Sequence, residues 1–162
     1  MPDKPKTDKP KRVRNPEKDP LGPDARAYIV CNRHQCHIIQ TGIMDKVNIA
    51  RKFSHIHEYW KPYIAAELNG QHVKLDKLKG EFVFHHHEHE DEMFLVVKGR
   101  FRMEFRDRHE WIEEGEFIVV PRGVEHKPVA AAEAAVLLLE PASTRNTGDV
   151  LDERTVEVLE RI

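Results

Sequence analysis

The sequence predicts an all-β protein, a closed barrel of short strands with a short helix ahead of it. Three observations carry that expectation. Between residues 44 and 147, short apolar or alternating runs recur, with turn residues about every eight to twelve positions. The turns are chemically specific: Asn69-Gly70, Gly80, Gly99, Glu114-Gly115 and Pro121-Arg122-Gly123. The run Arg100–Arg106 alternates strictly, placing Phe101, Met103 and Phe105 on one face and charges on the other.

Composition sets the bounds. The chain has 162 residues, enough for one domain with a real core. It is 40% hydrophobic and 33% charged, with a formal net charge of −2. That balance offers nucleic acid no general attraction. No apolar run reaches the roughly 18–20 residues that span a membrane, and the N-terminus has no apolar signal core. The expectation is a cytoplasmic protein with no nucleic-acid or membrane partner.

Residues 1–43 read as a disordered or poorly ordered extension. Six of the ten prolines fall at positions 2, 5, 10, 16, 20 and 23, with little nearby to bury. The basic run Lys9–Arg14 is diluted by Asp3, Asp8, Glu17 and Asp19, which favours a solvated tail over a binding arm. Cys31-x-x-His34 and Cys36-His37 fit no closed four-ligand zinc pattern. A disulfide is not expected in a reducing cytosol. Met44-Asp45-Lys46-Val47-Asn48 reads as a natural start, so the functional chain is expected to begin at Met44.

The barrel is expected over residues 44–147. Asp45 is placed to cap a helix carrying Ile49, Phe53, Ile56 and Trp60, which ends near Pro62. Ile64–Leu68 is a strand, turned by Asn69-Gly70 into Gln71–Lys79 with Val73, Leu75 and Leu78 facing in. Strands over 81–87 and 92–98 follow, joined by a turn at Glu88–Asp91. After Arg100–Arg106, Asp107-Arg108 turns the chain back into Trp111-Ile112. Phe117–Val120, His126–Val129 and Val136–Leu139 complete the set. Residues 148–162 are expected to form a C-terminal arm or short helix, with Val156, Leu159 and Ile162 three apart.

The chemistry concentrates in Phe84–Glu92, which holds four histidines and four acids in nine residues. On a strand, residues two apart share a face, so His85 and His87 aim their imidazoles the same way. Glu92 opens the next strand and reaches the same site. Two neutral imidazoles and a carboxylate suit a borderline divalent ion. His86 faces the other way. Pairing His87 with His89 leaves only two residues before Glu92. A one-residue slip in register would reverse every face. His72 is a pocket residue or an exposed strand histidine; His109 reads as solvated, and His55 and His57 sit near the helix end.

Taken with Gly115, Pro121, Gly123 and His126, these residues resemble the two motifs of the cupin superfamily. The first runs Gly80, His85, His87, Glu92, Gly99, with the gap after Gly80 one residue shorter than usual. The second runs Gly115, Pro121, Gly123, His126, and departs from the pattern at Ala130, where an asparagine is usual. The resemblance covers roughly residues 44 to 147.

It implies a double-stranded β-helix, or jelly-roll, barrel with His85, His87, Glu92 and His126 as ligands of one divalent transition metal: Fe, Mn, Ni, Cu or Zn. Four protein ligands leave an octahedral ion two open positions. That suits a dioxygenase, or an isomerase or lyase acting on a small hydroxy-carbonyl metabolite. Either needs a general acid or base, and the sequence names none. Arg122 is a candidate anion holder or a solvent-facing turn residue. The alternative is a non-catalytic module that binds a small ligand. The family also implies a homodimer. Phe82, Phe84, Met93, Leu95 and Val97 are placed opposite the metal face, as an apolar surface for a partner to cover.

Overall fold

A computed structural model describes residues 46–162, together with the backbone of 28–31 and 36–39. Contacts divide the chain into two units, residues 1–46 and 47–162. In the first, β1 (Tyr28–Cys31) pairs antiparallel with β2 (Cys36–Ile39). The Cys31, His34, Cys36 and His37 side chains and the expected start at Met44 lie outside the described residues.

The second unit opens with α1 (Ile49–Phe53), one turn and a half long. Its cap is Asn48, whose side-chain oxygen accepts from the Arg51 N–H at 2.9 Å. Asp45, the expected cap, lies outside the described residues. The helix ends at Phe53 with Ser54 as its C-cap, well short of Trp60; Trp60 itself has a positive φ of 60°, which no helix accommodates and which is rare for a bulky side chain. Its backbone N–H donates to Lys77 O at 3.0 Å and its indole N–H to Lys79 O at 2.8 Å. Its ring stacks on Phe82, centroids 5.0 Å apart.

Seven strands follow: β3 (Tyr63–Leu68), β4 (Gln71–Glu81), β5 (Glu92–Lys98), β6 (Arg100–Glu104), β7 (His109–Glu113), β8 (Phe117–Val120) and β9 (Lys127–Pro141). They form one antiparallel sheet in the order β3-β4-β9-β5-β8, with β6 joined to β9 and β7 to β6. The two strands expected at 126–129 and 136–139 are one continuous strand, β9. Its start pairs with β6 and its end with β5, while β4 runs alongside nearly its whole length. Leu78, Phe94, Val96, Phe101, Met103, Ile112, Val120, Val136 and Leu138 meet in the core. Each such aliphatic or aromatic side chain contributes about 1.5–3 kcal/mol by leaving water.

Three expectations are corrected. Residues 82–87 form no continuous strand; they carry one isolated bridge, between His85 and His126. The inward face of β4 is not Val73 and Leu75 but Lys74, Asp76 and Leu78. Leu75 is buried on the opposite face, where Phe53 and Ile56 cover it, so β4 is buried on both sides. Residues 148–162 take the arm form, one of the two expected, and only the helical alternative is corrected. Their N–H groups are taken elsewhere: Val156 N–H by the Asn146 side chain, Ile162 N–H by Ile64 O.

Candidate metal centre

Three structural pieces bring the site together. The 82–87 segment supplies His85 and His87, the first residue of β5 supplies Glu92, and the residue before β9 supplies His126. His85 and His126 exchange backbone hydrogen bonds of 3.1 and 2.9 Å, and the Gly123 N–H donates to His87 O at 2.7 Å. The Pro121-Arg122-Gly123 turn is thereby tied to the His-x-His segment, with Gly123 at a φ of 76° that suits a residue without Cβ.

All four side chains are buried, and one ligand atom from each lies within 4.8 Å of every other. Glu92 Oε2 stands 3.1 Å from His87 Nε2 and 3.5 Å from His126 Nε2. The Nδ1 atoms of His85 and His126 sit 3.0 and 2.9 Å from the carbonyls of Val83 and Val124. Those carbonyls hold the protons on Nδ1 and turn the Nε2 lone pairs inward. Burial, then the neighbouring His126, lowers the His85 pKa to about 4, so its ring is neutral near pH 7. Burial pushes the Glu92 carboxyl up, but the His126 and His87 rings facing it outweigh that and hold the group well below the usual range.

This donor set fits a divalent ion. The lone pairs of buried imidazoles face a buried carboxylate, and His126 Nε2 has no hydrogen-bond partner among the described residues. Such convergence is costly unless a cation lies between the donors. Neutral nitrogen with one carboxylate oxygen suits the first-row divalent metals.

The remaining predicted groups lie apart. His86 turns away and pairs with Asp149 at 3.2 Å. Glu88 and His89 are exposed. Arg122 is at the surface, ion-paired to Asp91 at 3.2 Å. His72 is buried, 3.0 Å from Glu67. Phe82, expected on the outer face, is inside, its ring edge-on to His85 at 5.4 Å. Ala130 is fully buried in the core.

Sequence reasoning missed three polar residues beside the site. Lys74, Asp76 and Glu140 are buried on the inner faces of β4 and β9. Lys74 Nζ bonds Glu140 Oε1 at 2.7 Å and the Thr144 carbonyl at 3.2 Å. Burial and then the charge of Glu92 push the Glu140 carboxyl well up, against the pull of Lys74. Burial raises Asp76 to about 8, with backbone N–H groups of Lys77 and Lys61 restraining it. Asp76, Glu140, Glu92 and His85 line one cavity of about 30 Å³, walled by Trp60, Leu78, Phe82, Phe94 and Leu138. It has room for one or two waters.

Comparison with known proteins agrees with this architecture. The cupin domain family matches residues 71–140. A cupin-2 domain containing protein from Shewanella frigidimarina is 42% identical, with a TM-score of 0.58, over 59% of this chain and 93% of its own. Protein NMB1881 from Neisseria meningitidis is 31% identical, with a TM-score of 0.57, over 60% of this chain and all of its own. The uncharacterised protein YdbB of Bacillus subtilis is 30% identical over 63 residues, 38% of this chain. That match spans 56%, just over half, of its length. The fold, the paired glycine-histidine motifs and these similarities together make the chain a member of the cupin superfamily.

Proposed function

We propose that the protein is a small metal-dependent cupin in which His85, His87, Glu92 and His126 hold one divalent transition metal. It acts as an enzyme on a small polar metabolite. The observation that carries this reading is the buried convergence of three imidazoles and one carboxylate, with His126 Nε2 left unpartnered. When bound, the ion supplies Lewis-acid polarisation of a hydroxy-carbonyl group or a binding point for dioxygen. The chain does the rest. The Val83 and Val124 carbonyls fix the imidazole tautomers. Trp60, Phe82 and Phe94 give the cavity apolar walls. The deciding measurement is metal content by plasma mass spectrometry on untagged protein purified without chelator. Near one equivalent supports the reading; none, even after reconstitution, refutes it.

The small cavity favours a second reading, a module that binds a small ligand without turning it over. Saturable binding with no chemistry across dioxygenase, isomerase and lyase panels selects it. The assembly we propose is a homodimer. Two rows of apolar side chains cross the outer face of β8, β5 and β9: Val119, Met93 and Leu139, then Phe117, Leu95 and Leu137. Phe117 is 63% and Val119 50% exposed in the single chain, a surface that a second copy would cover.

A further inference from the structure

The site contains a polar group that the metal reading does not use. Asp76 is on the inner face of β4, and its side chain lines the same cavity as Glu92 and His85. Its Oδ1 is buried and has no hydrogen-bond partner among the described residues. A buried oxygen left unpaired costs roughly 1–3 kcal/mol, so such groups call for an explanation. The backbone N–H groups of Lys77 and Lys61 that restrain the carboxyl leave Oδ1 unmatched. Asp76 is not one of the four clustered donors. Rings and aliphatic chains form most of the cavity wall; its polar lining is His85 and Glu92 of the metal cluster, Asp76, Glu140 and Asn146, and the Asn146 side chain is taken by Arg154 O and the Val156 N–H.

We propose that Asp76 is the substrate-recognition residue of this site, hydrogen-bonding through Oδ1 to a hydroxyl or carbonyl oxygen of a ligand whose neighbouring oxygen occupies the metal position. This rests on the metal reading above and narrows it to compounds with two adjacent oxygens, such as 2-hydroxy acids and hydroxy-carbonyls. The compact cavity limits the part that enters to a few atoms. The charged groups around Asp76 fit this division. Glu92 and His85 serve the metal, while Glu140 is ion-paired to Lys74 through Oε1, its Oε2 having no partner among the described residues. Asp76 is the lining carboxyl that makes no ion pair among the described residues, and so the one not already neutralised by a cation.

The test uses the full chain loaded with Co(II), whose visible bands report ligand exchange. Glycolate carries a hydroxyl on the carbon next to its carboxylate; acetate lacks that hydroxyl. Wild type is expected to bind glycolate at least tenfold more tightly than acetate. Asp76→Val should remove that preference, with cobalt stoichiometry and acetate affinity unchanged. Asp76→Asn, which keeps a hydrogen-bonding side chain, should retain most of it. Equal affinity of wild type for glycolate and acetate overturns the proposal. So does a glycolate preference that survives in Asp76→Val. Loss of cobalt from either variant also overturns it, because Asp76 would then be a metal ligand. Failure of wild type to take up cobalt overturns the metal reading itself and the present proposal with it. Should Asp76→Val fail to fold, the wild-type preference and the Asp76→Asn protein still decide.

Discussion

His85 and His126 are bound to each other through their backbones: each N–H donates to the other's carbonyl, and their rings lie 4.4 Å apart. Two proposed metal ligands 41 positions apart in sequence are thus fixed as a pair by the backbone itself. The bridge lets an irregular segment hold a regular geometry.

The first prediction separates ligands from neighbours in the same histidine-rich run. Single replacement of His85, His87 or His126 by Ala should reduce bound metal from about one equivalent to a small fraction. His86→Ala and His89→Ala should leave it intact, because one pairs with Asp149 and the other is exposed. Plasma mass spectrometry on the five proteins decides. Metal loss in His89→Ala would mean a different ligand register.

A second prediction concerns Gly148, at a φ of 54°. A Cβ there would collide with the His86 carbonyl and come within 3.1 Å of the His85 ring. Gly148→Ala should cost on the order of 1–3 kcal/mol and lower metal occupancy as well, read by denaturant melts and metal analysis. An unchanged midpoint would show that the arm moves aside freely.

Third, the Lys74–Glu140 pair is buried on both sides. Lys74→Met should destabilise by roughly 3–5 kcal/mol, because it strands a carboxyl. Adding Glu140→Leu should recover much of that loss. Urea melts of the two singles and the double give the coupling; additive losses would rule out a direct interaction.

The fourth prediction is a pH dependence of the metal-free protein. Asp76 holds its proton to about pH 8 when folded, while an unfolded aspartate releases it near 4. Between those values the native state binds more protons than the unfolded one, so this group's contribution falls as pH rises. The slope approaches about 1.4 kcal/mol per pH unit for one proton. Glu92, Glu140 and Lys74 are close enough to modulate it. Asp76→Asn should flatten the profile between pH 5 and 8, and identical slopes would contradict the assignment.

Fifth, Leu95→Glu combined with Phe117→Glu should convert the expected dimer to monomer without loss of β-sheet signal. Light scattering at micromolar concentration provides the mass. A wild-type monomer would leave the outer rows of β5 and β8 without the partner proposed for them.

His85, His87 and Glu92 were legible from short-range strand geometry, and His126 joined them through the resemblance to the second cupin motif. His-x-His shares a face whether the strand is regular or merely extended, and Pro121-x-Gly123 delivers His126 back to it. Lys74, Asp76 and Glu140 were not legible. Charges at alternate strand positions usually mean a solvent face; here α1 covers the apolar side of β4 and the charged side turns inward. The unity of β9 was hidden as well. Its middle, Ala130-Ala131-Ala132-Glu133-Ala134-Ala135, has little strand preference of its own, and pairing with β4 and β6 flanks it on both sides of the gap. The missing C-terminal helix has a similar origin, since tertiary partners claimed the amides a helix would need.

The position of β9 also bears on how the chain folds as it is made. β4, β5 and β6 all take β9 as a neighbour, yet β9 is the last of the strands to be synthesised. Gln71 waits for Pro141, and His85 for His126. Until that final strand emerges, the edges of three others stay open and the ligand set is incomplete. Closure is therefore a late, long-range event of the kind that slows folding. Any metal taken up by the proposed site would enter after β9 has been made, and a chain stalled before residue 127 would expose unpaired edges to aggregation.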